Sequence, residues 1–135
     1  MRDRRRVLVV EDDPDTRRMV AGLLADEGYD PQIALDGDHA LRSALALTPD
    51  LIILDVHVPE PSFAVHFVER YRERVAPDRR APIIALSAHE DLESFAEQVG
   101  ASAHVRKPFD VESLLVVVRD QLSRRVGDTE VAGRG

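Results

Sequence analysis

The residues best equipped for chemistry in this sequence are three consecutive acids, Glu11, Asp12 and Asp13, with Asp55, Ser87 and Lys107 far along the chain. The acids follow apolar runs at 7–10 and 51–54. Ser87 and Lys107 close the runs at 82–86 and 103–106. Carboxylates are hard oxygen ligands of the kind that suit Mg²⁺, which keeps waters and takes phosphate oxygens beside one or two protein carboxylates. A carboxylate next to such a cation can attack phosphorus and become an acyl phosphate. An ammonium and a hydroxyl can hold the equatorial oxygens of the group in transit. Lys107 is the one lysine among 18 basic residues. Its position therefore points to a need for a compact ammonium rather than a guanidinium fork. Taken singly, each residue has a plainer use: Asp13 before Pro14 as a helix cap, Glu11 and Asp12 as solvated loop acids, Asp55 as a turn residue. Ser87 alone says little. Their convergence carries the argument.

Convergence depends on the elements between them. The runs at 7–10 and 51–54 are continuously apolar and rich in β-branched residues, the signature of strands buried on both faces. Further strands are expected over 30–35, with Ile33 and Leu35 on one side, over 82–86 and over 103–106. Met19, Val20, Leu23 and Leu24 recur at helical spacing between Pro14 and Gly28. Leu41, Ala44 and Leu45 stripe a second helix over 38–47. Ala64, Phe67, Val68, Tyr71 and Val75 stripe a third. Leu92, Phe95, Ala96 and Val99 stripe a fourth that stops at Gly100, and Val111, Leu114, Leu115, Val118 and Leu122 a fifth. Strand and helix alternating five times imply an α/β fold, a parallel sheet with helices on both faces and right-handed crossovers. Ligands of such sheets bind at the carboxyl ends of the strands, where the candidate residues stand.

The 135 residues suit one domain, with 44% apolar and 32% charged residues and no cysteine. This excludes disulfides, thiolate metal sites and cysteine nucleophiles. No apolar run approaches the roughly 20 residues that span a bilayer. The start is too short in apolar residues for a signal peptide, so a cytoplasmic address and no membrane insertion are expected. The net charge of −7 argues against direct nucleic-acid binding. No GxxxxGK[ST] phosphate loop is present. Arg2, Arg4, Arg5 and Arg6 make a basic start that reads as a solvated end or an anion contact.

The stretches Val7-Leu-Val-Val-Glu-Asp-Asp-Pro14, Pro49-Asp-Leu-Ile-Ile-Leu-Asp-Val-His-Val-Pro59, Ile84-Ala-Leu-Ser-Ala88 and Gly100-Ala-Ser-Ala-His-Val-Arg-Lys-Pro-Phe109 resemble the receiver domain of two-component response regulators. The resemblance implies a single-domain, flavodoxin-like, doubly wound (βα)5 sheet in the order 2-1-3-4-5 (an order that a member of this family commonly illustrates). It divides the chain into a basic end at 1–4, a receiver domain at 5–125 and a flexible tail at 126–135. Asp55 matches the phosphoacceptor. Glu11 and Asp12 match the acidic pair that holds Mg²⁺, with Mn²⁺ as a substitute. Asp12-Asp13 is the other register available at this run of acids. Through its backbone carbonyl, His57 matches a further metal ligand. Ser87 matches the switch hydroxyl, Lys107 the lysine that pairs with the phosphoryl group, and His104 the switching aromatic. Lys107-Pro108 matches a cis peptide. The implied partners are a sensor histidine kinase or histidine phosphotransfer protein and a downstream protein target. The face formed by the fourth helix, fifth strand and last helix would switch, and a homodimer through it is an open alternative. That region is rich in charge: Glu90, Asp91, Glu93, Glu97, Arg106, Asp110 and Glu112.

The sequence departs from the family at Glu60-Pro61-Ser62-Phe63, where an Asp-Gly pair is usual before the third helix. Pro61 stiffens what reads as a loop. His57 and His89 stand two residues past Asp55 and Ser87; they read as exposed loop histidines or, since side chains at these positions flank the phosphoryl group in the family, as residues that tune its loss to water. The expected role is a signalling domain that assists its own phosphorylation and dephosphorylation, rather than an enzyme on external substrates. A phosphohydrolase of similar fold would carry a carboxylate where His57 stands. The alternative is an interaction module of the same fold working without phosphorylation. No DNA-binding output domain fits within 135 residues.

Overall fold

A computed structural model describes residues 4–55, 61–88, 90 and 92–134. Along them run β1 (Arg6–Val10), α1 (Pro14–Asp26), β2 (Asp30–Ala34), α2 (Gly37–Leu47), β3 (Leu51–Asp55) and α3 (Pro61–Arg74). A 3₁₀ turn at Pro77–Arg79 leads to β4 (Ile83–Ser87), α4 (Leu92–Val99), β5 (Ala103–Arg106) and α5 (Val111–Arg134). All strands are parallel, in the order β2-β1-β3-β4-β5. This is the flavodoxin-like topology that the sequence implies.

Successive side chains of a strand point to opposite faces, so a strand covered on both sides must be apolar throughout. Leu8, Val10, Ile52, Leu54, Ile83 and Ala85 face α2, α3 and α4, meeting Ala40, Ala44, Phe67, Val68, Leu92 and Phe95 among others. Val7, Val9, Leu51, Ile53, Ile84 and Leu86 face the other way, onto Val20 and Leu24 of α1 and Leu114, Val118 and Leu122 of α5. Each fully buried leucine or isoleucine contributes roughly 1.5–3 kcal/mol relative to exposure. Two cores thus clamp the sheet and fix the edge where its carboxyl ends lie.

Aspartates start three of the helices. Asp13 Oδ2 accepts from the Thr16 N–H at 2.9 Å, Asp36 Oδ1 from that of His39 at 2.8 Å, and Asp110 Oδ1 from that of Ser113 at 2.7 Å. These caps satisfy amide groups that the helix itself leaves unpaired.

Several boundaries differ from the sequence reading. β2 stops at Ala34, which is fully buried, while Leu35 is exposed, because Asp36 already caps α2. β4 starts at Ile83 rather than Pro82, which has no N–H to give a ladder, although the Pro82 carbonyl accepts from Ile52. Val111 is exposed in the first turn of α5 and does not join its stripe. Residues 61–63 are the first turn of α3 rather than a loop; proline is well suited to the first helical position, where no N–H is needed. Glu60 lies outside the described residues. α5 runs on to Arg134 through the segment read as a tail. No proline interrupts it after Val111, so backbone bonding carries past Leu122, the last residue of α5 in the core. Among the described residues, no helix is long and apolar enough to cross a membrane.

The basic start is partly structural. Arg6 belongs to β1; its N–H donates to Asp50 Oδ2 at 2.8 Å and its guanidinium to the Leu47 carbonyl at 2.6 Å. Arg5 lies 3.8 Å from the same Asp50 oxygen. Arg2 lies outside the described residues.

Candidate functional site

Because all five strands run the same way, Glu11, Asp55, Ser87 and Lys107 arrive at one edge from four different strands. Two backbone hydrogen bonds prolong the sheet to hold them. The Glu11 N–H donates to the Ala34 carbonyl at 3.2 Å, beyond the end of β1. The Lys107 N–H donates to the Ser87 carbonyl at 2.9 Å, beyond the end of β5. The Lys107-Pro108 peptide is cis.

Lys107 joins the two central strands' acids. Its Nζ lies 2.7 Å from Glu11 Oε1 and 2.9 Å from Asp55 Oδ2. Glu11 is 1% exposed, Asp55 5% and Ser87 1%, so these are interior polar groups at the floor of the edge. Asp12 is exposed above them. Oxygens of Glu11, Asp12 and Asp55 lie within 4.8 Å of one another. Three carboxylates that close supply the hard, anionic donors that Mg²⁺ prefers, so the residues fit that ion.

Burial raises the Glu11 carboxyl from 4.5 to about 7, and the nearby Asp55 adds to the rise against the pull of Lys107. Burial alone would lower the Lys107 ammonium, but its hydrogen bonds to Glu11 and Asp55 outweigh it and hold the group above the usual lysine value. The second oxygen of Glu11, Oε2, accepts from the Asp13 N–H at 3.3 Å. Asp13 itself turns away to cap α1: its Oδ2 takes both the N–H and the hydroxyl of Thr16. The Thr16 bonds pull the Asp13 carboxyl below the usual range. Glu11 and Asp12, rather than Asp12 and Asp13, are therefore the acids grouped with Asp55.

His104 stands apart from this cluster. It is exposed on the edge strand β5, and its Nε2 lies 4.0 Å from Glu93 Oε1 on α4. His57 and His89 fall outside the described residues, as does Asp91. Residue types alone did not reveal the inequality of the acidic pair. Glu11 is enclosed and bound to Lys107, while Asp12 faces solvent. The only hint in the sequence is that Glu11 comes directly after a run buried on both faces.

Residues 7–119 match the family model for the response regulator receiver domain. The DNA-binding response regulator MtrA of Mycolicibacterium smegmatis is 33% identical over 139 residues, covering 95% of this chain and 59% of that protein. RpaA of Synechocystis, a DNA-binding master transcriptional regulator, is 37% identical over 122 residues, covering 88% of this chain and 49% of that one. Among solved structures, the chemotaxis protein CheY4 of Vibrio cholerae has a TM-score of 0.76 at 31% identity, covering 87% of this chain and 98% of its own. NtrX of Brucella abortus has a TM-score of 0.85 at 28% identity, covering 98% of this chain and 30% of its own. The chain spans between 25% and 59% of the curated relatives AtoC of Escherichia coli and MtrA. Sheet order, edge chemistry and the match over most of the chain agree. This chain belongs to the response regulator receiver domains of two-component systems, and its acidic cluster fits the phosphoacceptor and Mg²⁺ site of that family.

Proposed function

We propose that Asp55 accepts a phosphoryl group from a sensor histidine kinase or a histidine phosphotransfer protein, and that the phosphorylated form presents a changed surface to a downstream protein. The observation that carries this reading is the Lys107 ammonium seated between Glu11 and Asp55, at 2.7 and 2.9 Å. Glu11, Asp12 and Asp55 would hold Mg²⁺, with the backbone carbonyl of His57 as a further ligand. The ion would supply positive charge to the oxygens of the transferring group.

The chain's own residues do the rest. An oxygen of Asp55 forms a bond to phosphorus as the bond to the donor's nitrogen or oxygen breaks, and the donor leaves with its electron pair. Lys107, already charged and within reach of Asp55, pairs with a phosphoryl oxygen. Ser87, at the end of the neighbouring strand, donates its hydroxyl to another. The carboxylate's single charge becomes roughly −1.5 to −2 on a larger group. The pull on Ser87 and Lys107 shifts a pre-existing equilibrium at α4, β5 and α5, with His104 on the moving face. His57 and His89 tune loss of the group to water. The domain assists its own phosphorylation and dephosphorylation and works in the cytoplasm.

Intact mass after incubation with Mg²⁺ and a small acyl-phosphate donor tests this. One phosphoryl adduct is expected in the wild type and none in Asp55→Asn or without Mg²⁺. An adduct that survives Asp55→Asn would sink the assignment.

A further inference from the structure

A cleft of about 750 Å³ opens at the other end of the sheet, where β4 begins, away from Asp55 and Ser87. Arg72 of α3, Arg80, and Arg124 of α5 line it, with Asp78 as the acid among its lining residues. Three guanidinium groups against Asp78, with Asp120 beside Arg124, leave the wall positive. Two of the arginines keep donors for a ligand. Arg72 gives one nitrogen, Nη2, to the Gly100 carbonyl at 3.2 Å, and Arg124 pairs through Nε with Asp120 at 3.1 Å. Arg80 spends Nε and Nη2 on the Val75 and Arg72 carbonyls, so it contributes charge rather than contact.

Two further features mark the cleft. Gly100 has φ of +68°, and a Cβ there would collide with the Arg72 guanidinium. Glycine suits the positive φ of the turn that ends α4, and the Arg72 guanidinium lies across the space that its missing side chain leaves. Gln121 also lines the cleft and is only 5% exposed, yet its carboxamide has no hydrogen-bond partner among the described residues. No side-chain nitrogen or oxygen of those residues is fully enclosed without a partner, so this amide faces the cleft. Its donors and acceptor are therefore left to water or to a ligand in the cleft. The Ala81 and Pro82 segment gives the cleft an apolar floor.

We infer that this cleft binds a small organic phosphate, of about the size of a mononucleotide, with the phosphate on Arg72 and Arg124 and a polar ring edge on the Gln121 amide. Its volume lies in the range of small-molecule sites and far exceeds that of a bare phosphate. The inference is independent of phosphorylation at Asp55.

Titration of the full chain in metal-free buffer, read by ¹H–¹⁵N NMR with adenosine 5′-monophosphate, adenosine and inorganic phosphate as probes, tests it. The nucleotide is expected to shift the Gly100 and Ser102 amides and the Gln121 side-chain NH₂, with a Kd of about 1 mM or tighter. Arg72→Gln with Arg124→Gln should weaken it about tenfold or more. Gln121→Met, close in volume and without the amide, should weaken the nucleotide but not inorganic phosphate. Absence of these shifts at about 10 mM nucleotide would overturn the inference. So would equal affinity for inorganic phosphate, which would mark a plain anion site, or shifts centred on Glu11 and Asp12.

Discussion

A carboxylate that is 1% exposed costs more to ionise than one in water, and Glu11 is such a group beside a second acid. Its folded pKa of about 7 stands above the ordinary 4.5, so the folded protein binds a proton there more tightly than the unfolded chain does. The stabilising contribution is complete below 4.5 and is lost as pH rises through 7. In metal-free buffer, urea unfolding of the wild type relative to Glu11→Gln should therefore lose roughly 1–3 kcal/mol between pH 5 and pH 8. Parallel profiles for the two proteins would show that Glu11 is already ionised at pH 5. Lys107 offsets the same two acids with one ammonium. Lys107→Met should cost about 3 kcal/mol at pH 8, where Glu11 is ionised, and less at pH 5, where Glu11 takes up a proton. A loss independent of pH would mean that packing, not charge, is what Lys107 supplies.

At the scale of elements, the cap of α1 separates stability from chemistry. Asp13 is exposed and spends its side chain on Thr16, while only its backbone N–H reaches Glu11. Asp13→Ala should cost about 1 kcal/mol in thermal or urea unfolding and leave acyl-phosphate labelling of Asp55 unchanged. Lost labelling in a folded Asp13→Ala protein would restore the Asp12-Asp13 pairing. The strands are legible in the sequence because β1, β3 and β4 are buried on both faces over four consecutive apolar residues each, with a polar residue only at one end: Arg6, Asp55 and Ser87. The ends of elements are less legible because single side chains decide them. Asp36 halts β2 by capping α2, and Pro61 opens α3 where the residues read as a loop. The edge that carries the candidate site is legible because Glu11, Asp55 and Ser87 directly follow or end such a strand, and Lys107 directly follows the edge strand β5. The arginine cleft is not, since Arg72, Gly100, Gln121 and Arg124 come from three segments with no shared spacing, and only the folded chain sets them side by side.

For the whole molecule, the acidic edge links metal, proton and folding. On the proposed reading, ligation would require the ionised carboxylate that burial disfavours, so Mg²⁺ and a proton would compete for Glu11. Without metal, raising the pH would weaken the fold at this site; with metal, the same ionisation would create the ligand. A ligand at ten times its Kd that binds only the folded state stabilises it by about 1.4 kcal/mol. The rise in Tm on adding Mg²⁺ should therefore be clear at pH 8 and shrink toward pH 6, where Glu11 is mostly protonated. Asp12→Ala should remove the rise without unfolding the protein, because Asp12 is exposed and belongs to neither core. Differential scanning calorimetry of both proteins at the two pH values, with and without Mg²⁺, reads all of this at once. A rise of equal size at both pH values, or one that persists in Asp12→Ala, would place the bound ion somewhere other than this edge and break the link between the buried acid and the metal.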